Sequence, residues 1–346
     1  MDAATVVVTG AGGNIGSNMI RALRDADTDY EVVGTEPDRY ARYLSRADRV
    51  HEVPYADERD AYYEALTDVI DSEDADVLLP SNIFEIAALV DERDRFDVPL
   101  PLPDSEPTET FLNKWASYRA WRSADVAVPE TVLLEAPADV SRAFDGLPTD
   151  EVWVRGAAID DLAPPSGRAF SDPAAARCWV DYHDGWGAFT ASRHLPGEDC
   201  TWLGVYDDGV LVAGQARKRL DYGESDTWGA GAPTVSKTVS RPDIAETGRA
   251  AIETIDGRPH GVFFADMRAD SNGTLRVTEV NPGRLGTTSS GFYPRAGFNV
   301  PALLVDIALG VDYETRDPVS TLESDLHYLR KLDCGPVIVP GEEIDV

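Results

Sequence analysis

Two carboxylates and an amide occupy one short stretch of the chain, FFADMRADSNGTLRVTEVNPGR at 263–284. A two-residue turn at Asn272-Gly273, a pair favoured in hairpins, sets Asp266 opposite Glu279. Asn281 follows two residues after Glu279, on the same face of the strand. Two opposed carboxylates repel each other unless a cation neutralises them. Because two acids and an amide oxygen suit Mg²⁺, the hairpin predicts a metal site of the kind shared with substrate phosphates.

A second interpretation of this hairpin needs no metal. A strand face of an antiparallel pair is often exposed to solvent, and Arg268 or Arg276 could balance the two acids there. On the metal interpretation, Arg284 has a function too, since it follows the strand-ending Pro282 and could stabilise a phosphoryl group in transfer. The hairpin alone leaves both interpretations open.

A glycine-rich loop lies near the start of the chain, in VVVTGAGGNIGSNMIRAL at 6–23. Its glycines 10, 13 and 16, between a strand and a helix, fit a dinucleotide-binding turn, and Glu36 ends the next strand where a ribose-binding acid would lie. An NAD-dependent short-chain dehydrogenase or epimerase would also need a lysine one helical turn after a tyrosine. None of the 13 tyrosines has a lysine four residues later, which makes this the weaker alternative.

The elements that must position these residues fall into two patterns. Apolar strands at 5–9, 31–38, 75–81 and 98–104 alternate with helices at 14–25 and 82–92, which predicts a doubly wound parallel sheet ending near residue 108. One helix is predicted at 108–125, with Thr108 or Thr110 as its cap. Strand pairs follow between 151 and 282, with hairpin turns at Asp208-Gly209 and Asn272-Gly273, which indicates α+β lobes.

Composition limits the partners and the compartment. The chain has 346 residues and a formal net charge of −31, so binding of nucleic acid is not expected. Acid is dispersed and only four lysines occur, which suggests adaptation to high salt. No apolar run is long enough for a membrane span. Three cysteines without a CxxC motif (178, 200 and 334) indicate a reduced, cytoplasmic setting without disulfides.

The sequence resembles the ATP-grasp superfamily, and in particular proteins like the large chain of carbamoyl phosphate synthase. The resemblance covers nearly the whole chain. Segments that carry it, in order, are VVVTGAGGNIGSNMIRALR, LPSNIFEIAAL, FLNKWASYRAWRSADVAVPET, RHLPGEDCTWLGVYDDGVLV, TEVNPGRLGTTSSGF and LHYLRKLDCGPVIVP. It implies a Rossmann-like pre-ATP-grasp domain at 1–108 and an ATP-grasp domain at 109–346. The lid lobe would span roughly 127–194 and the C-terminal lobe roughly 195–346.

The resemblance also implies roles for matching residues. Lys114 and Arg155 would contact the nucleotide phosphates, Arg155 standing where the family usually has lysine. Residues 192–195, with Arg193, His194 and Leu195, would form the adenine hinge. Glu198 would bind the ribose, with Asp199 as the alternative. The remaining residues implied are the metal ligands Asp266, Glu279 and Asn281, the arginine Arg284 that steadies an acyl phosphate, and the pair Arg217 and Arg219 for phosphate or a substrate carboxylate.

The expected activity is that of an ATP-dependent carboxylate–amine ligase that forms an acyl phosphate and releases ADP and phosphate. It would use ATP and Mg²⁺, with Mn²⁺ as a substitute, on small-molecule carboxylates and amines, and a homodimer is compatible with the family. Two departures weigh against full catalysis. The lid segment 157–170 has one glycine, two prolines and two acids, and Gly283 displaces Arg284 by one residue. A compensating flap at 221–237, or a non-catalytic nucleotide-binding protein, remains an alternative.

Overall fold

Three sheets organise the chain in the computed structural model, which describes residues 3–158, 167–222, 233–331, 337–340 and Glu342. The first is a four-stranded parallel sheet in the order β3-β2-β1-β4. Its elements are β1 Ala4–Val8, α1 Asn14–Arg24, β2 Tyr30–Glu36, β3 Arg49–Glu52, α2 Arg59–Ser72, β4 Val77–Leu79 and α3 Ile83–Leu89. The sequence predicts five of these elements, but not β3 and α2. The mixed fold class of the sequence analysis is confirmed.

Two predictions about the following segment are wrong. The predicted strand at 98–104 is extended chain outside any sheet, tied to β4 where the Leu78 N–H donates to the Pro99 carbonyl at 3.2 Å. The predicted helix at 108–125 is two helices, α4 Ser105–Leu112 and α5 Lys114–Ser123. The break occurs because the Asn113 side chain accepts hydrogen bonds from the Trp115 and Ala116 N–H groups and so caps a new helix.

The second sheet is antiparallel and has four strands in the order β5-β8-β6-β7. Its apolar face forms a core with two helices, because residues such as Val152 and Val154 alternate inward along β6. Trp153 and Arg155 therefore project from the opposite face. The elements of this sheet are β5 Thr131–Leu134, α6 Pro137–Gly146, β6 Val152–Gly156, β7 Arg168–Phe170, α7 Pro173–Tyr182 and β8 Phe189–Arg193.

The third sheet has seven strands in the order β13-β12-β9-β10-β11-β14-β15. Its elements are β9 Asp199–Asp207, β10 Val210–Asp221, β11 Val235–Thr238, α8 Pro242–Ile255, β12 Gly261–Ala269, β13 Leu275–Pro282, α9 Thr287–Gly291, α10 Val300–Leu309, β14 His327–Leu329 and β15 Val337–Val339. One face packs on α8 through Trp202 and Ala265. The other face packs through Leu203 and Phe264 on α1 and the parallel sheet. A shared core therefore holds the parallel sheet against the seven-stranded one, and the domain boundaries at 108 and 194 stay predictions.

The hairpin of β12 and β13 has the predicted pairing but not the predicted turn. Asp270 and Thr274 close a three-residue loop through the Asp270 N–H to the Thr274 carbonyl, with Gly273 at a φ of 83°. This loop alone would shift the register by one residue. A bulge between the pairs Met267–Val277 and Asp266–Glu279 adds one residue to β13 and restores the opposition of the two acids. The Asp208-Gly209 turn, with φ of 51° and 87°, is the two-residue turn predicted.

Candidate active site

Polar side chains line one face of the seven-stranded sheet in two rows that run across its strands. In the first row, Glu279, Asp266, Thr201 and Arg217 are opposed in turn on β13, β12, β9 and β10. In the second row, the same pairing joins Arg268, Asp199, Arg219, Ser236 and Tyr328. Directly opposed residues share a face of the sheet. The register of five strand pairings therefore assembles residues that are distant in sequence.

Glu279 lies beside two cations. Its Oε2 lies 3.3 Å from an Arg155 Nη and 3.9 Å from the Lys114 Nζ, and its Oε1 accepts a hydrogen bond from the Asn281 Nδ2 at 3.4 Å. Burial raises the pKa of Glu279, but Lys114 and Arg155 outweigh burial and lower it to about 2. The carboxylate is therefore ionised, and its cations come from other elements rather than from Arg268 or Arg276.

Asp266 lies deeper than Glu279 and has a different set of partners. Its Oδ1 accepts hydrogen bonds from Arg219 and, at 2.8 Å, from the Thr201 hydroxyl. Burial and the neighbouring Glu279 raise the pKa of Asp266 to about 6, although Arg219 acts in the opposite direction. The two opposed acids thus have pKa values on either side of the ordinary range. The interpretation as an exposed hairpin face is wrong, because Asp266 is only 8% exposed.

Lys114 and Arg155 approach the acid pair from the side of the second sheet. Lys114 is the first residue of α5, and its N–H donates to the Ala157 carbonyl just beyond β6, which ties the helix start to that strand. Arg155 donates to the Thr278 carbonyl of β13 as well as to Glu279. Burial lowers the pKa of Lys114 and of Arg155. Both cations therefore bridge the two sheets at the edge of the acid pair.

The backbone position of Arg284 depends on Gly283, the residue before it. Gly283 has a φ of 65°, and a Cβ there would lie 2.7 Å from a Leu102 methyl, so glycine is the residue this turn accepts. The Nε of Arg284 is buried without a hydrogen-bond partner, and its charge lowers the pKa of Lys114 together with Arg155. The structure therefore keeps Arg284 near Lys114 despite the inserted glycine.

Metal binding would rest on carboxylate and amide oxygens. The described residues hold no cluster of three or more His, Cys, Asp or Glu side chains suited to a metal. Asp266 and Glu279 are instead opposed on one face, with the amide of Asn281 in contact with Glu279. Two carboxylates with an amide oxygen fit Mg²⁺, which commonly takes one or two carboxylates plus phosphate oxygens and water. The donor set thus fits the expected metal.

The predicted hinge residues lie at the end of β8, where the chain passes from the second sheet to the third. An Arg193 Nη is 3.7 Å from Glu130 and 3.9 Å from Asp270 of the β12–β13 turn. The His194 ring stacks on Trp153 with ring centroids 6.3 Å apart, and burial lowers its pKa. Leu195 is buried. These residues connect the two sheets but do not contact the acid pair.

Glu198 is not part of the acid-pair face. Its carboxylate pairs with Lys218 and, at 3.3 Å, with Arg241 beside α8, and these cations lower its pKa. Lys218 lies between Arg217 and Arg219 on β10, so its side chain projects from the opposite face of the sheet. The alternative residue, Asp199, does join the cluster, where it accepts hydrogen bonds from Arg219 at 3.3 Å and from Tyr222 at 2.5 Å.

Three backbone N–H groups of the glycine-rich loop already donate hydrogen bonds within the protein. The Gly12 N–H donates to Glu36 at 2.8 Å, Ala11 to the Thr35 carbonyl, and Gly13 to the Gly10 carbonyl. A phosphate at this loop would have to displace the Glu36 carboxylate, which is buried. This geometry disfavours the dehydrogenase alternative, because the acid expected at a ribose instead occupies the loop.

Several residues of the cluster escaped sequence reasoning. Thr201 donates to Asp266, and Thr288 accepts from Arg217. The strand register reveals Thr201, whereas Thr288 lies on α9 and is revealed only by the tertiary structure. Most of the predicted lid segment, at 159–166, and of the predicted flap, at 223–232, lies outside the described residues. Among the described residues, no helix is long and apolar enough to cross a membrane.

Comparison with known proteins identifies the fold. No family model and no curated protein matches the sequence. Solved structures do match: an L-amino acid ligase from Bacillus licheniformis has a TM-score of 0.71 at 13% identity, covering 94% of this chain and 78% of that one. N5-carboxyaminoimidazole synthetase from Staphylococcus aureus has a TM-score of 0.67 at 15% identity, covering 94% and 81%.

A third structure extends the comparison to another kind of ligase. Biotin carboxylase from Campylobacter jejuni matches with a TM-score of 0.68 at 14% identity, covering 93% of this chain and 74% of that one. These neighbours are ATP-grasp ligases. The chain therefore has the ATP-grasp fold, as the resemblance implied.

Proposed function

We propose that this protein is an ATP-dependent ligase that joins a carboxylate to an amine or a related nucleophile. One observation carries the proposal. In a chain with a net charge of −31, three cations pair with the opposed acids, namely Lys114, Arg155 and Arg219, and a fourth, Arg284, lies close enough to Lys114 to lower its pKa. Such a concentration of positive charge in an acidic protein fits a polyanion such as a nucleoside triphosphate.

The residues divide by the group they would contact. Lys114 and Arg155 hold the nucleotide phosphates, with Arg155 offering two N–H donors to one phosphate. Asp266, Glu279 and Asn281 hold Mg²⁺, or Mn²⁺ in its place, and the metal would supply charge neutralisation across the phosphates. Neighbouring structures support a nucleotide here, since one biotin carboxylase domain was solved with MgADP and one N5-carboxyaminoimidazole ribonucleotide synthetase with ADP.

The reaction we propose has two steps. A carboxylate oxygen attacks the γ-phosphorus and ADP leaves, which gives an acyl phosphate. An amine then attacks the acyl carbon, phosphate leaves, and the amine loses a proton. Arg284 and Arg219 stabilise the negative charge that moves onto the transferring group. Arg193, His194 and Leu195 line the adenine end at the junction of the sheets, and Asp199 replaces Glu198 as our candidate beside the ribose.

The test is a phosphate-release screen with Mg·ATP in molar potassium chloride. It runs panels of carboxylates and amines, with hydroxylamine added to trap an acyl phosphate as a hydroxamate. We expect phosphate release that depends on a carboxylate, and its loss in Arg155→Ala. The matched control is Arg249→Ala, whose exposed side chain pairs with Glu253 on α8. Carboxylate-independent hydrolysis, or equal rates in the two variants, contradicts the proposal.

A second function is favoured by the lid sequence. With one glycine, two prolines and two acids, the 157–170 segment is poorly suited to fold its amides over phosphates. The protein would then bind nucleotide without turnover. Tight Mg·ATP binding by calorimetry, combined with no phosphate release for any acid in the panel, selects this function over the ligase.

Organisation and setting complete the proposal. We propose a pre-ATP-grasp domain at 1–108, a lid lobe at 127–194 and a C-terminal lobe at 195–346, working in the cytoplasm. A homodimer fits a comparison structure that is a dimer of biotin carboxylase domains. Light scattering after size exclusion in molar salt measures this state, and a mass of one chain contradicts it.

A further inference from the structure

A buried arginine beside the proposed nucleotide site lacks a counter-ion. Arg217 is 7% exposed, and no carboxylate of the described residues lies within ion-pair distance of it. Its guanidinium donates to the Thr288 hydroxyl and, at 3.5 Å, to the Thr201 hydroxyl. Two neutral hydroxyls solvate a cation only partly, and a buried unpaired charge is costly. The fold nevertheless places the unpaired charge of Arg217 on the face of the sheet that carries the proposed reaction site.

The neighbouring Arg219, unlike Arg217, is paired with acids. It lies two residues away on the same face of β10 and bonds to both Asp199 and Asp266. The hydroxyl of Thr201 separates the two systems, since it donates to Asp266 and accepts from Arg217. The charge of Arg219 is therefore neutralised by Asp199 and Asp266, whereas the charge of Arg217 is left for another anion.

A second unused polar group lies on the same face. Ser236 on β11 is 1% exposed, and its hydroxyl is buried without a hydrogen-bond partner among the described residues. Ser236 is opposed to Arg219, so it is diagonal to Arg217, at a distance that a long side chain or a small anion bridges. A buried hydroxyl without a partner is destabilising unless something bonds to it.

From these contacts we infer that Arg217, Ser236, Thr201 and Thr288 form a second anion subsite, for a carboxylate or phosphate group of the acceptor acid. The inference rests on the proposed function. Arg217 is two strands from Asp266, or about 10 Å along the sheet at about 4.8 Å per strand. The group that is activated lies by the metal ligands. The acceptor is therefore an acid that carries a second anionic group a few bonds away from the activated carboxylate.

Binding of small anions to the nucleotide-free protein tests the subsite directly. Calorimetry measures the affinity for succinate, acetate and inorganic phosphate at constant potassium concentration. Arg217→Gln is compared with wild type and with Arg249→Gln, an exposed control on α8. We expect succinate or phosphate to bind to wild type and control, and at least about tenfold more weakly to Arg217→Gln, because a charge-assisted bond is lost. The stronger of these two ligands identifies the second anionic group.

A second variant and a second ligand complete the test. Arg217→Lys retains the charge but not the two-pronged donor, so its affinity should fall between the others, and it serves if Arg217→Gln does not fold. Calorimetry with Mg·ATP should give the same affinity in all variants. Absence of Mg·ATP binding in wild type overturns the proposed function. Mg·ATP binding with unchanged anion affinity in Arg217→Gln and Arg217→Lys, or with no anion binding to wild type, overturns the inference alone.

Discussion

Replacing Glu279 by glutamine should destabilise the free protein and weaken its binding of ATP in the presence of Mg²⁺. The change leaves Lys114 and Arg155 without the carboxylate that lies 3.9 and 3.3 Å from them. Lowering the pKa of Glu279 from 4.5 to about 2 corresponds to at most about 3.5 kcal/mol of stability, at about 1.4 kcal/mol per pKa unit. Because 30% of the side chain is exposed, solvent screening reduces the expected loss to about 2 kcal/mol.

The stabilisation that Glu279 provides should depend on pH. The folded pKa lies below the unfolded one, so the stabilisation is fully present above pH 4.5 and is lost as the pH falls toward 2. The stability difference between wild type and Glu279→Gln should therefore be largest at pH 7 and smaller by about 1 kcal/mol at pH 3.5. Urea unfolding in constant potassium chloride measures it. The control Glu253→Gln, which removes an exposed α8 pair, should change stability by less than about 1 kcal/mol.

Nucleotide binding supplies the second measurement on the same variant. Without Glu279, ATP in the presence of Mg²⁺ should bind more weakly, while metal-free ATP binds at least as tightly as to wild type, because two cations have been released. Equal stability of Glu279→Gln and Glu253→Gln at pH 7, or an unchanged dependence of ATP affinity on Mg²⁺, refutes the reasoning.

Three other predictions follow from single features. Because the folded pKa of Asp266 is raised to about 6, its contribution to the stability of wild type should be lost as the pH rises from about 4 through about 6. This loss should be absent in Asp266→Asn, as urea unfolding at several pH values would measure. Gly283→Ala should cost about 1–2 kcal/mol and lower phosphate release, whereas Gly257→Ala, with nothing within 4 Å of the new Cβ, should be neutral in the same assays. Removing molar salt should unfold the protein, as circular dichroism would report; retained structure contradicts salt adaptation.

Local signals in the sequence predicted most of the elements. The predicted pairing of Asp266 with Glu279 is correct because two shifts of register cancel. The turn residues Asn272 and Gly273 favour a hairpin, but they cannot distinguish a two-residue from a three-residue loop. The bulge opposite Met267 then compensates for the extra loop residue. Bulges depend on twist and on contacts with neighbouring strands, which periodicity does not encode. The opposition of Asp266 and Glu279 was thus right for an incomplete reason.

Long-range pairing explains what the sequence could not provide. Glu198 and Asp199 are adjacent acids, and only the pairing of β9 with β10 shows that Asp199 shares a face with Arg219 while Glu198 does not. The break before Lys114 was accessible, because asparagine is a strong helix cap and Asn113 precedes the new helix. Its consequence, a lysine tied to β6 at the Ala157 carbonyl, required the tertiary structure.

The charge distribution explains how such a site would work in concentrated salt. At molar ionic strength the screening length is about 3 Å, so the acidic surface neither steers nor repels a nucleotide over long distances. Buried pairs are screened much less than exposed ones. The side chain of Glu279 is 30% exposed and Asp266 is buried, and their partners Lys114, Arg155 and Arg219 come from α5, the second sheet and β10. Recognition of an anion would therefore depend more on Lys114, Arg155 and Arg219 than on the net charge of the chain.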